Sequence, residues 1–345
     1  MLPIFESAKY HIHLYYYLPE HVREFLNSIH WGSKGTVYER PVTQTTAERL
    51  YKPHVFVIEN ENNLIATVLA NAYLFDIKNE TVNGYYFRYF ASNPIFRGNP
   101  LVANNSIRVL SWLHTQMQPN DFLYAYLEKK NDQSSKLVRR LGYQKIGEST
   151  TIGFSRFFPK ISKRVQQATT VAQKEHITTK LTSFYQNHSL VHSQGIHLDD
   201  AYYYIEIDKK IIAGIQIIEG QWKIKQMEGL LGKLIVRYAA HIPFINRLFS
   251  PNAFRFLGIE GILYEEGQEK ILFELIEHTL AIKKHHSALI WQDPNCPYYL
   301  GKHTGLGLLH TFVKGTGSYI LAKGSSSCID ELSQKPKYIS CFDFV

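Results

Sequence analysis

The chain has 345 residues, 45% of them apolar, and 38 Lys and Arg against 30 Asp and Glu give it a net charge of +8 with histidine neutral. That length exceeds one ordinary domain, so two are expected, and the apolar share excludes long disorder. No stretch approaches the roughly 18 uninterrupted apolar residues of a membrane span, and no signal-like leader opens the chain.

In chain order, His11 and His13 alternate as on one face of a strand, and a helix is expected over Pro19–His30. Strands follow at His54–Glu59, Leu64–Asp76 and the aromatic run Tyr85–Ala91. After the turn Asn93-Pro94-Ile95-Phe96-Arg97-Gly98-Asn99 comes a helix over Leu101–Met117. A strand Phe122–Leu127, a helix Ser134–Leu141 and a strand Thr151–Phe158 complete this half. Basic, polar Lys160–Glu175 reads as a linker, which puts a domain boundary between residues 164 and 165. Early clustered strands and later helix–strand alternation predict a mixed sheet, α/β or α+β in class.

The second half echoes the first. Ile58-Glu59-Asn60-Glu61-Asn62-Asn63-Leu64-Ile65-Ala66 returns as Ile205-Glu206-Ile207-Asp208-Lys209-Lys210-Ile211-Ile212-Ala213, a strand, an acidic turn and a strand. Phe87–Ala91 finds an echo in Phe254–Gly258, and Leu141-Gly142-Tyr143 a looser one in Thr304-Gly305-Leu306. Repeats this far apart indicate a duplicated domain rather than a solenoid. The growing offset implies an insertion of about twenty residues, placed at about 221–253. Within it, Leu230, Leu231, Leu234, Ile235, Tyr238 and Ile242 recur at helical spacing among Lys233, Arg237 and Arg247, until Pro243 interrupts.

Strand, Arg-Gly turn, helix, strand, Asn131, short helix and Leu-Gly-Tyr together resemble the acyl-CoA core of the GCN5-related N-acetyltransferases. The resemblance implies two tandem domains of that fold and an N-acyltransferase that moves an acyl group, acetyl first among candidates, from acyl-CoA to an amine. It also implies a bulged strand that parts from its neighbour, leaving an edge for pantetheine amides near Phe90 and Ser92. The pyrophosphate would lie on Arg97 and the amides of Gly98, Asn99, Leu101 and Val102, where unpaired N–H groups and the helix dipole favour an anion. Asn131 is the start of the family's second signature.

The motifs depart from the family at three positions. Its two turn glycines fall on Pro100, which has no N–H, and on Val102, and its proton-donating tyrosine falls on Val138. A water or Ser135 is left to protonate the thiolate. In the second half, Tyr264 aligns with Arg97 and Gly267 with the position of Pro100, while Glu265, Glu266 and Glu269 would repel a diphosphate. A second half without CoA, shaping the acceptor cleft, is the expectation.

No catalytic base is assigned. Glu59 reads as a turn flank and Glu128 as a surface acid or a base. No metal site is expected, since His11 and His13 lack a third ligand and His285-His286 reads as a solvated helix end. The cysteines Cys296, Cys328 and Cys341 match no zinc motif or disulfide framework, which suits a reducing cytoplasm. There is no G-x-S-x-G, Walker or H-E-x-x-H motif. The partner is then a small-molecule or peptide amine. Nucleic acid rests on charge alone, and a membrane surface only on the basic insertion. The other reading is a catalytically inactive module that keeps the fold and binds a ligand or mediates assembly.

Overall fold

The structure, a computed structural model, describes residues 1–345 apart from 7–8, 33–34, 62, 79, 97, 228, 239–241 and 345, and apart from the side chains of 133, 230, 231 and 243. In chain order the elements begin β1 (Leu2–Glu6), β2 (His11–Tyr15), α1 (Glu20–Asn27), β3 (Val37–Glu39), α2 (Gln44–Glu48), β4 (Pro53–Asn60), β5 (Asn63–Ile77), β6 (Glu80–Ser92), α3 (Pro100–Gln116), β7 (Phe122–Glu128), α4 (Asp132–Arg140) and β8 (Gln144–Ser155). There follow β9 (Val165–Gln167), α5 (Val171–Phe184), β10 (Tyr202–Ile207), β11 (Lys210–Gln226), α6 (Gly229–Tyr238), α7 (Pro243–Leu248), β12 (Phe254–Tyr264), α8 (Glu269–Ile282), β13 (Ser287–Gln292), α9 (Leu308–Val313), β14 (Gly317–Lys323) and α10 (Ser326–Gln334). Among the described residues no helix is long and apolar enough to cross a membrane.

Two compact units interleave along the chain. One comprises Met1–Ser33, Glu39–Ile146 and Tyr319–Gln334, the other Lys34–Tyr38, Gly147–Ser318 and Lys335–Val345. In the first, strands run in the order β1-β2-β4-β5-β6-β7-β14. Pairing is antiparallel from β1 to β6 and parallel between β6 and β7. Helix α3 turns Val109 and Leu113, four apart and so on one face, against Ile12, Leu14, Phe56, Ile58, Val68 and Leu123. In the second, the order is β9-β10-β11-β12-β13-β8, with β12 and β13 the parallel pair. Here α8 buries Leu272, Leu275, Ile276 and Leu280 on Ile205, Ile215, Leu257, Ile259 and Ile290. A fully buried Leu or Ile stabilises by about 1.5–3 kcal/mol, so these seams hold the helices in place.

The hairpin echo is structural. In β4–β5 the register shifts between Ile58 and Glu59, and in β10–β11 it shifts between Ile205 and Glu206. The aromatic echo is out of register. Tyr89 and Phe90 of β6 together oppose one residue of β5, and Gly261 and Ile262 of β12 oppose one residue of β11. Tyr89 therefore matches Gly261, not Phe256, and the second half carries 25 extra residues between hairpin and bulge (offset 172 against 147). The shared Phe-Arg-aromatic string had suggested about twenty.

Segment Lys160–Glu175 is not a bare linker. Val165–Gln167 pairs with β10, and Thr170 and Gln173 close a capping box that starts α5. Polar composition hid both, because a three-residue edge strand and a helix N-terminus are polar by nature. The strand expected over Thr151–Phe158 lies earlier, at Gln144–Ser155, with Ile146, Ile152 and Phe154 buried. The single helical pattern of the insertion forms as two helices, α6 and α7, with Pro243 opening the second.

Candidate functional site

In the first unit, β6 and β7 pair from Gly84 opposite Phe122 to Phe87 opposite Ala125. Beyond that point the register ends, although β6 continues to Ser92 and β7 to Glu128. The bulge at Tyr89 and Phe90 falls at this point. An extra residue sharpens local twist and bends a strand from its neighbour, so a wedge opens between them. Phe90 is 40% exposed at its mouth, and Ser92, Ala125 and Tyr126 are half-buried.

The turn after β6 is held by its own polar groups. Asn93 donates its N–H to Ile65 O at 2.9 Å, and its side-chain oxygen accepts from the Ile95 N–H at 3.1 Å. Arg97 lies outside the described residues. Gly98 is left-handed, φ +79°, and a Cβ placed there would have no atom within 4 Å. Asn99 caps α3, its side-chain oxygen accepting from the Leu101 N–H at 2.9 Å and its carbonyl from the Val102 N–H at 3.1 Å. With Pro100 at the first helical position, the first-turn donors expected to hold a phosphate are Leu101 and Val102, and both are engaged by Asn99. An anion would reach the Leu101 amide by displacing one neutral side-chain oxygen. Asn131 likewise caps α4, accepting from the Ser134 N–H at 3.0 Å.

Beside the bulge lies a cluster that sequence reading missed. Tyr89 is left-handed, φ +52°. The guanidinium carbons of Arg40 and Arg88 lie 4.7 and 4.4 Å from its ring centre, Arg88 Nη2 donates to its hydroxyl at 2.9 Å, and Trp31 packs at 5.8 Å. Burial pushes the Tyr89 phenol up, but the two guanidiniums and their hydrogen bonds outweigh it and hold it below the ordinary tyrosine value. The one available signal was a charged residue, Arg88, inside an otherwise aromatic strand.

The second unit repeats the wedge and fills it. Pairing of β12 with β13 ends at Ile259 opposite Ile290, and Gly261 carries the bulge at φ +55°. Around the gap, Ile262, Tyr264 and Trp291 are buried. The C-terminal segment enters: the Lys337 N–H donates to Asp293 Oδ2 at 3.0 Å, Ser340 Oγ and the Phe342 N–H donate to Glu260, and Phe344 stacks on Trp291 at 4.8 Å. What remains is a cavity of ≈ 30 Å³, above the roughly 10–15 Å³ that one water needs. Burial raises the Glu260 carboxyl, and its Oε1 has no partner among the described residues.

Cys296 Sγ lies 3.3 Å from His188 Nε2. Burial raises the thiol and lowers the imidazole, so the pair stays neutral rather than forming a thiolate. Gly267, at φ +78° just before the Gln268 cap of α8, matches Gly98 before Asn99, not the position of Pro100. Elsewhere, His13 Nδ1 meets Glu59 Oε1 at 3.0 Å, and Glu128 ends β7 half-buried. His285 is buried, not solvated, with Nε2 3.3 Å from Glu219 Oε2.

No family model matches the sequence, and no curated protein sequence matches it. Among solved structures, Saccharomyces cerevisiae N-myristoyltransferase with bound myristoyl-CoA is similar over 93% of this chain and 84% of its own, at TM-score 0.56 and 7% identity. A second structure of that yeast protein with bound myristoyl-CoA gives TM-score 0.54 at 10% identity, over 92% and 79%. A GCN5-related N-acetyltransferase from Anabaena variabilis covers 81% of this chain and 65% of its own at TM-score 0.46 and 10% identity. Such identities speak to fold alone. With the bulged, parted strands repeated in both halves, the chain has the tandem GCN5-related N-acetyltransferase fold.

Proposed function

We propose that the protein is an acyl-CoA-dependent N-acyltransferase whose first unit binds the acyl donor. One observation carries this reading: β6 and β7 stop pairing at the bulge, where Phe90 is 40% exposed, while the matching place between β12 and β13 is filled by the chain's own C-terminal segment. Pantetheine would pair with the free edge of β6 near Phe90 and Ser92, and amide N–H groups there would polarise the thioester carbonyl. The pyrophosphate would lie over Arg97, Gly98, Asn99, Leu101 and Val102 at the tip of α3, with Asn131 at the far side. A small-molecule or peptide amine would attack the carbonyl carbon, the C–S bond would break, and the thiolate would take a proton. Acetyl-CoA is the first donor to test, and residues 1–164 and 165–345 are read as the two copies. All three cysteines are free, which supports a reducing, cytoplasmic setting.

Calorimetric titration with CoA, acetyl-CoA and myristoyl-CoA tests the reading. Binding by one of them, lost when the turn at Gly98 is disturbed, is expected. No binding at millimolar concentration would leave the second reading, a module without catalysis, favoured by the internal capping of Leu101 and Val102.

A further inference from the structure

The cluster beside the bulge consists almost wholly of hydrogen-bond donors. Arg40 and Arg88 are 9% and 4% exposed. Arg40 also lies 5.9 Å from the Trp31 ring centre. The Trp31 indole N–H and the Arg40 Nε–H are shielded from solvent and have no acceptor among the described residues. None of the described ion pairs includes Arg40, and the neighbouring Glu39 is paired with His30 at 2.8 Å.

A buried donor without an acceptor is costly, and a buried guanidinium such as Arg40, in none of the described ion pairs, more so. An arrangement of this kind is completed by something that brings acceptors and negative charge. The Tyr89 hydroxyl accepts from Arg88 and leaves the Trp31 N–H and Arg40 Nε–H unsatisfied. A planar guanidinium fork matches the oxygens of a carboxylate or phosphate. Position supplies the rest: Tyr89 and Phe90 form the bulge that opens the wedge. Arg40 and Trp31 both pack on Tyr89, the residue next to Phe90 at the strand edge proposed for the thioester.

We infer that Arg40 and the Trp31 N–H, beside the Arg88–Tyr89 pair, form an oxyanion subsite for the acceptor, which is an amine carrying a carboxylate or phosphate. This rests on the N-acyltransferase reading for its chemistry, but not for its binding. Calorimetry without CoA, using glycine against glycinamide and phosphoethanolamine against ethanolamine, reads the subsite directly. The anionic member of at least one pair should bind ten-fold or more tightly than its neutral counterpart. Which pair shows the difference separates carboxylate from phosphate. In Arg40→Met that preference should vanish, and Arg40→Lys, which keeps the charge but not the fork, should retain part of it. Equal binding within both pairs in the wild-type protein would overturn the subsite even if CoA binds. Oxyanion binding without CoA binding would keep the subsite and sink the acyltransferase reading.

Discussion

Tyr89 and Gly261 stand at the same point of two strands that repeat one another, the first residue of each bulge, with φ of +52° and +55°. Glycine reaches that conformation without steric penalty, whereas a tyrosine there carries local strain. The strain is offset by what the ring touches: Trp31, Arg40 and Arg88, all within the first unit. One copy spends the position on close packing and the other on a charged aromatic cluster.

Gly261→Ala should destabilise the protein. The left-handed conformation costs a residue with a Cβ about 1–2 kcal/mol, and that Cβ would approach Ile196 Cδ1 at 2.7 Å. Urea unfolding followed by circular dichroism should show a lower midpoint at unchanged slope. An unchanged midpoint would mean that the bulge is not held in this conformation.

Gly98→Val separates the turn from the fold. Open space surrounds the added carbon, so only the φ of +79° is strained. Stability should fall by about 1–2 kcal/mol, while acyl-CoA affinity falls ten-fold or more as the turn rearranges. Affinity equal to wild type would place the pyrophosphate away from this turn.

Glu260→Gln should raise the melting temperature at pH 7–8 by a few degrees and do less near pH 4. Burial raises this carboxyl above its ordinary value, so the folded state holds a proton that the unfolded chain releases. The stability it contributes is full below the unfolded value and is lost as pH rises through the folded one. Glutamine removes that loss and keeps an oxygen to accept from Ser340 and Phe342. A larger gain at pH 4 than at pH 8 would contradict the sign.

Tyr89 should ionise below the ordinary tyrosine value, because the Arg40 and Arg88 charges outweigh the effect of its burial. Its folded value is depressed, so its linkage favours the folded state only as pH rises through that value, and contributes nothing at pH 7 if the group is still protonated there. Ultraviolet difference titration of wild type against Tyr89→Phe should isolate one early phenolate transition. Its absence, with all other tyrosines unchanged, would show that the guanidiniums do not act on this ring.

The strands and helices around the first wedge were legible because their signals are local. Apolar runs either side of a polar turn name β4 and β5, alternation names β6, and the apolar helical run from Leu101 names α3 to within one residue. The hairpin repeat was legible for the same reason, since turn chemistry and alternation recur within nine residues. The aromatic echo misled by five residues because a matching string of Phe and Arg says nothing about register, which hydrogen bonding with a neighbouring strand sets. Segment Lys160–Glu175 misled because an edge strand and a capping box are polar.

By itself the sequence determined the class of fold, the duplication and the order of strand, turn and helix between Tyr85 and Met117. These depend on the periodicity and capping of neighbouring residues. Only the tertiary structure decided that the β12–β13 wedge is filled, because its plug joins Glu260 to Ser340 and Trp291 to Phe344 across long stretches of chain. It alone gathered Trp31, Arg40, Arg88 and Tyr89, drawn from a loop, a strand end and a bulge. Charges so far apart in sequence interact through space, and no local pattern encodes that distance.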